Sequence, residues 1–454
     1  MNTLPPQSGN LGTAEDSVVP NFWAVRGRHL AGWAAKIVEF GLIQGLVQFI
    51  LAVSGLLIVR SLPKSEYAIF AIANSIQVTC NALADLGIGI GIRSIGGQVY
   101  ADPRRFGSLL KAALSLRYRF ALGSLAACIP VAIWMLVRNG ASLPLTIGLS
   151  LMITASVIPL LGYAVWNTSV QLHGQYRRIQ KLDLGNSVLR LGIIALLYSR
   201  LNALLALSAS VATNWVQWFF MRRWGREHVD VDVPPDAEYR KELIRLSVRS
   251  LPNTVFFCFQ GQVTLLILTF AGNSTGIADI TALGRIAAVF AVLASLLSNL
   301  LGPRFARCQD PHRIPRLYAL LVGGTVLVLT PLVVVAGLAP GPFLWLLGSK
   351  YAGLEHECLL VIGAACLAHI GNTMWNLNSS KAWISVQVRA YIPVMIGAQV
   401  LAIALLDVRK FHDVLLFNLV VSAVPILTYS LDAWRGMRSL KASGSPPGAS
   451  SKST

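Results

Sequence analysis

Apolar blocks of about twenty residues, separated by short polar connections, run along almost the whole chain. The stretches 41–59 and 317–339 are typical: nearly every residue is Leu, Ile, Val, Ala, Gly or Phe, with no charged face at helical spacing. Each such block matches the ~20 residues that an α-helix needs to cross a bilayer. Read this way, the chain predicts twelve spans, at about 37–60, 67–93, 115–138, 144–168, 184–200, 203–222, 247–270, 277–302, 317–339, 357–380, 390–407 and 412–433.

Composition agrees with that pattern. Of 454 residues 54% are hydrophobic and 13% charged, where soluble domains carry roughly 25% charged residues. Residues 1–36 read as a polar tail without a signal-peptide pattern, and 434–454 as a disordered one. Cys80, Cys128, Cys258, Cys308, Cys358 and Cys366 form no CxxC or Cys/His ligand spacing, so they read as small apolar helix residues. His356-Glu357-Cys358 lacks the second His of a zinc helix. No metal or cofactor is implied.

The net charge of +18 is an orientation signal. Of 38 Lys and Arg, 29 fall on the side of the two termini and 7 on the other, leaving Arg190 and Arg285 inside spans. Positively charged connections stay cytoplasmic, which predicts cytoplasmic termini. No separate basic module exists to bind nucleic acid. The longest polar connection, 223–246, divides the chain into six-span lobes at 37–222 and 247–433, related as a parallel repeat.

Polar residues inside the spans fall on helical faces. Asn74, Gln77, Asn81 and Asp85 lie at steps of three and four, and so do His369, Asn372, Asn376 and Ser380. Gln44 and Gln48 share a face, as do Asn253, Gln260 and Thr264, and Arg285, Ser295 and Asn299. Such groups need partners or water, since lipid satisfies none of them. They read as a wetted, amide-rich lining suited to polyols, with helix–helix hydrogen bonding the competing role. Trp166 and Trp375 read as packing residues, with sugar stacking as the alternative. Asp85 is a candidate coupling carboxylate or a structural partner of Arg93 or Arg190.

Covalent chemistry finds no support. There is no P-loop, dinucleotide Gly motif or Ser/His/Asp set, and the far connection 340–356 places Glu355 and Glu357 only two residues apart. The remaining readings are a carrier of anionic cargo, a cation-coupled multidrug or metabolite antiporter, and a membrane scaffold. Two intramembrane arginines against one or two acids favour the first.

Several short pieces together resemble the Wzx-type O-antigen/polysaccharide flippases of the multidrug/oligosaccharidyl-lipid/polysaccharide (MOP) superfamily. They are 61–77 followed by Ala84-Asp85-Leu86-Gly87, Ser250-Leu251-Pro252, 265–286, and Gly302-Pro303-Arg304-Phe305. The resemblance implies an all-α integral membrane fold, with twelve transmembrane helices in two six-helix lobes arranged as in the V-shaped MATE architecture. It further implies a bacterial inner membrane location and alternating-access export of undecaprenyl-pyrophosphate-linked oligosaccharide. A proton or sodium ion as coupling ion and glycan polymerase machinery as partner belong to the same expectation. On this basis Arg285, in a span that lines the family's cavity, and Arg190 are expected as two cationic stations near opposite ends of one path.

Overall fold

The computed structural model describes residues 22–230, 232–286, 305, 310, 312–381, 383 and 385–443, and these are almost entirely helical, without a strand. They divide into two compact units, Met1–Leu42 and Ile43–Thr454. The helices are α1 (Phe22–Ser61), α2 (Lys64–Asp85), α3 (Ile88–Val99), α4 (Pro103–Arg138), α5 (Leu143–Leu172), α6 (Tyr176–Leu196) and α7 (Ala203–Arg226) in the N-terminal half. The C-terminal half holds α8 (Ala237–Phe270), α9 (described over 274–286), α10 (Arg313–Leu338), the short α11 (Gly341–Leu347), α12 (Glu355–Ser380), α13 (Ser385–Leu405) and α14 (Phe411–Ser443).

Nine of the described helices are long and apolar enough to cross a membrane. The other three predicted spans correspond to α6, α9 and α13. α6 misses the hydropathy of its neighbours because it carries Asp183, Asn186 and Arg190, and α13 is simply short. Leu122, Leu151, Leu327, Leu338 and Leu405 lie exposed on helix surfaces, as lipid-facing residues should. Prolines inside α4, α5, α8, α10, α13 and α14 are tolerated because neighbouring helices re-satisfy the freed carbonyls.

Several bounds differ from the sequence reading. The predicted tail 1–36 is helical from Phe22 onward, and helix also continues through 434–443. The predicted single span 67–93 is two helices, because Leu86 (φ 38°) and Gly87 (φ 78°) turn left-handed between them. The polar connection 223–246 shrinks to 227–236, since α8 already begins at Ala237 under an Asp236 cap that accepts from Glu238 N at 2.8 Å.

That short linker is fastened to the N-terminal half. Asp230 N donates to Pro103 O at 3.1 Å, and Ser108 Oγ donates to Pro234 O at 2.9 Å and accepts from Asp236 N at 2.8 Å. A β-carbon at Gly107 would collide with the Asp230 carbonyl, so glycine is what lets the linker lie this close. The first turns of α8 follow it: Leu243 is fully buried among Ile88, Ile92 and Phe106.

Helix direction alternates, so the connections sort onto two faces. The basic face carries the Lys/Arg-rich ones, and the opposite, far face carries 62–63, 139–142, 197–202, 271–273, 339–354 and 406–410. At the far face the two halves are clasped. Lys350 Nζ donates to Arg60 O at 2.8 Å and Leu62 O at 2.7 Å. Arg60 in turn donates to Leu346 O at 2.9 Å and Trp345 O at 2.5 Å. Lys64 pairs with Asp279 at 2.7 Å and lies over the Tyr351 ring.

Candidate functional site

Arg190 and Arg285 lie within range of each other's charge. The α6 helix starts eight residues before the predicted span, so Arg190 sits about 9 Å of helix rise from the far end of α6. Arg285 lies about 17 Å in from the far-face start of α9 at residue 274. The charge of Arg285 is felt at Arg190. Arg190 thus lies in the far half of α6 and Arg285 about midway along its span, so the two are nearer in depth than the opposite ends expected of them.

The Arg285 side chain lies along Gly55 of α1, its Cδ and Nη1 3.4 and 3.5 Å from where a β-carbon would stand. Neither arginine has an ion pair or hydrogen bond among the described residues, and Arg190 Nε is buried without a partner. Two like charges held together without an acid raise each other's energy, and desolvation adds to the cost.

A polar chain runs back from Arg190 through the N-terminal half. Asp183, Asn186 and Arg190 share one face of α6 at steps of three and four. Asn186 Nδ2 donates to Gln217 Oε1 at 3.3 Å, Gln217 Nε2 to Asp183 Oδ1 at 2.7 Å, and Tyr163 OH to the same oxygen at 3.1 Å. Asp183 is thus held by an amide and a phenol, with no cation on it. Sequence reasoning missed Tyr163 and Gln217, although Asn167 and Gln171 follow Tyr163 at steps of four and Thr213 and Asn214 precede Gln217 by four and three.

On α2, Gln77 is buried, Asn74 half-buried, and Asn81 carries a buried side-chain oxygen without a partner. Asp85 pairs with Arg117 of α4, a partner the sequence reading did not name, and not with Arg93 or Arg190. Arg117 also donates from Nη1 to Leu161 O at 3.1 Å.

The amide that links the halves is Gln262, two residues from Gln260, which was expected in the polar lining. Its Nε2 donates to Ser75 Oγ at 2.8 Å and Thr79 Oγ1 at 2.6 Å, and its Oε1 accepts from Ser75 at 3.2 Å. Gln260 Oε1 is buried without a partner. Beside this knot an apolar cleft of about 680 Å³ lies between α2, α4 and α8, walled by Leu83, Trp134, Val255 and Phe259 among others.

Elsewhere, Asn372 and Asn376 are exposed on α12 and His369 is half-buried. Exposed amides inside a span must face water, since facing lipid would leave them unsatisfied. Trp375 stands on the same face, tilted against Tyr429 at 5.8 Å. Trp166 is buried beneath Gly225, a packing position. Gln44 and Gln48 are half-buried on α1. Ser295 and Asn299 lie outside the described residues. Among those described, no group of three His, Cys, Asp or Glu could hold a metal ion.

This arrangement of helices is the MATE fold. A multidrug resistance MATE family transporter of the MOP superfamily in an inward-facing conformation superimposes with TM-score 0.63 at 15% identity, covering 88% of this chain and 96% of that one. The eukaryotic MATE transporter AtDTX14 gives TM-score 0.58 at 12% identity over 90% and 97%. A MOP superfamily transporter from Pyrococcus furiosus, described as having a binding pocket of reverse polarity, gives 0.54 at 16% over 89% and 96%. No protein-family model and no curated protein sequence matches this chain.

Proposed function

We propose that this chain exports an anionic, lipid-linked oligosaccharide across the bacterial inner membrane, with both termini cytoplasmic. The observation that carries the reading is that Arg190 and Arg285, within range of each other's charge, have no ion pair among the described residues, and that Arg190 Nε is buried without a partner. Arginine suits a diphosphate of the undecaprenyl-pyrophosphate type because its planar fork bonds oxyanions bidentately and stays charged where water is scarce. The neutral lining complements it: Asn372, Asn376 and Trp375 offer amides and a ring face to sugars, and the apolar cleft at α2, α4 and α8 offers a wall to a hydrocarbon chain.

The clasp at the far face supports a state closed on that side, with the two arginines reached from the basic, cytoplasmic face. The likeness to an inward-facing MATE structure at TM-score 0.63, against 0.56 for an outward-facing one, is consistent with it. An exporter of organic cations is disfavoured, since its cargo would be repelled by the arginine pair. A proton or sodium ion remains the expected coupling ion, and a coupling role for Asp85 would require its pair with Arg117 to open.

The test is export of lipid-linked glycan by cells carrying Arg285→Lys, Arg285→Ala or the Arg190→Ala/Arg285→Ala pair, with membrane insertion checked. Graded loss in that order is expected. Normal export by the double variant would end this reading.

A further inference from the structure

A polar cavity of about 300 Å³ lies at the break between α2 and α3, walled by Asn81, Asp85, Arg93, Arg117, Asn167 and Gln171 among others. Its depth differs from that of the central arginines. Asp85 ends α2 about 32 Å of helix rise from the far-face start at Lys64, the full ~30 Å of a hydrocarbon core. The cavity therefore sits at the basic-face boundary, about 15 Å of rise nearer that face than Arg285.

Arg117 is its centre. The side chain is 3% exposed while that of Asp85 is 37% exposed. Asp85 touches Arg117 through one oxygen, Oδ1, which bonds Nη2 and also accepts from Gly89 N at 3.2 Å. Arg117 Nε, on the same edge of the guanidinium, is buried with no partner. Half of a bidentate edge is thus unused. Arg93 is exposed, lies close enough for its charge to act on Arg117, and leaves the cavity with two guanidiniums against one carboxylate. A β-carbon at Gly89 would press on both Arg117 Nη2 and Asp85 Oδ2, at 3.1 and 3.3 Å, so the bare glycine gives the pair its room.

We infer that this cavity is a first docking station for the phosphate end of the cargo, in which Asp85 is a built-in stand-in anion that phosphate displaces from Arg117. A phosphate presents two oxygens to the Nε–Nη2 edge and a third toward Arg93, which a carboxylate fixed at one oxygen does not. The displaced Asp85, at the membrane boundary, turns to water. The inference rests on the reading of an anionic, phosphate-bearing cargo and adds to the central pair a separate site at another depth.

The experiment uses the full chain in nanodiscs, with inorganic pyrophosphate as probe and calorimetry as readout. Arg190→Gln/Arg285→Gln serves as background, so that only the boundary cavity reports. In that background Asp85→Asn should tighten pyrophosphate binding about tenfold, since a competing charged hydrogen bond is gone. Arg93→Gln and Arg117→Lys should each weaken it. A purely structural ion pair would give no tightening. If Asp85→Asn leaves affinity unchanged while thermal melting is intact, or if the background binds no pyrophosphate, the inference falls and the central pair still stands. If the tightening appears while glycan export ignores Arg190 and Arg285, the station stands and the central reading falls. Adding phosphatidylglycerol to phosphatidylcholine nanodiscs separates sources: abolition of the signal would assign the cavity to bulk lipid headgroups and overturn the cargo assignment.

Discussion

Lys350 caps the end of α1, to which Arg60 belongs, and Arg60 caps the end of α11, three residues before Lys350. The ammonium sits on the carbonyls that close α1, while the Arg60 guanidinium sits on those that close α11 and stacks 5.1 Å from the Trp345 ring. Cations are favoured at helix C-termini, so separating the halves here uncovers four carbonyls and two charges together. Lys350→Met should shift the far face toward opening. Spin labels at the exposed positions Leu143 and Ser349 would record longer separations, and an unchanged distance distribution would remove the clasp from the gating account.

Gly55 tests the placement of Arg285 without touching a charge. Its missing side chain is where Arg285 lies, so Gly55→Val should displace the guanidinium and lower export about tenfold, an effect the size of one charged hydrogen bond. Export at the wild-type level, with Arg285 shown still to bind pyrophosphate, would mean that the groove at Gly55 does not position it.

Gln262 should matter to stability and Gln260 much less. Replacing Gln262 by Leu removes two donated bonds and one accepted bond that tie α8 to α2, a loss of about 1–2 kcal/mol. Gln260→Leu removes an oxygen that has no partner and a single side-chain hydrogen bond with Tyr391, within the C-terminal half. Melting in detergent should fall for both, and further for the first.

The linker carries a pH dependence of its own. The His228 ring stacks on His173 at 4.3 Å and meets Gln175 Nε2 at 2.5 Å, an amide nitrogen that donates to a neutral ring. Burial first, and the neighbouring His173 next, press the His228 pKa below 6.5, with Arg178 adding to the depression and Glu227 opposing it. A base whose pKa is lower when docked binds fewer protons there, so docking is fully present above pH 6.5 and weakens as pH falls from 6.5 toward the depressed value. Hydrogen exchange of 227–236 should rise in that window in the wild type and not in His228→Asn.

The fold was legible because lipid imposes a long, uninterrupted signal: spans announce themselves by length, and the Lys/Arg asymmetry sorts their connections. What escaped was anything set by where a helix starts. Asp183 falls one residue outside the predicted span 184–200, whereas α6 runs from Tyr176 to Leu196, and that same shift sets Arg190 in the far half of its helix. Pairings between helices, such as Tyr163 with Asp183 or Gln262 with Thr79, escaped as well, because periodicity along one helix names a face and not the residue opposite it. Arg117 was hidden for another reason: near the predicted edge of its span, it read as one of the loop cations, and burial alone shows it to be the anchor of Asp85.

The seating of Leu243 among Ile88, Ile92 and Phe106 means that the boundary between the halves in sequence is not the boundary in space. A gene divided at the polar linker would give a second fragment whose first three turns still belong, by their buried face, to the first. Two such polypeptides carry their own adhesive and should reassemble when made together. A cut placed after those turns, before Pro252, would sever the adhesive from the piece it joins and leave the fragments to find each other by the membrane-embedded contacts alone.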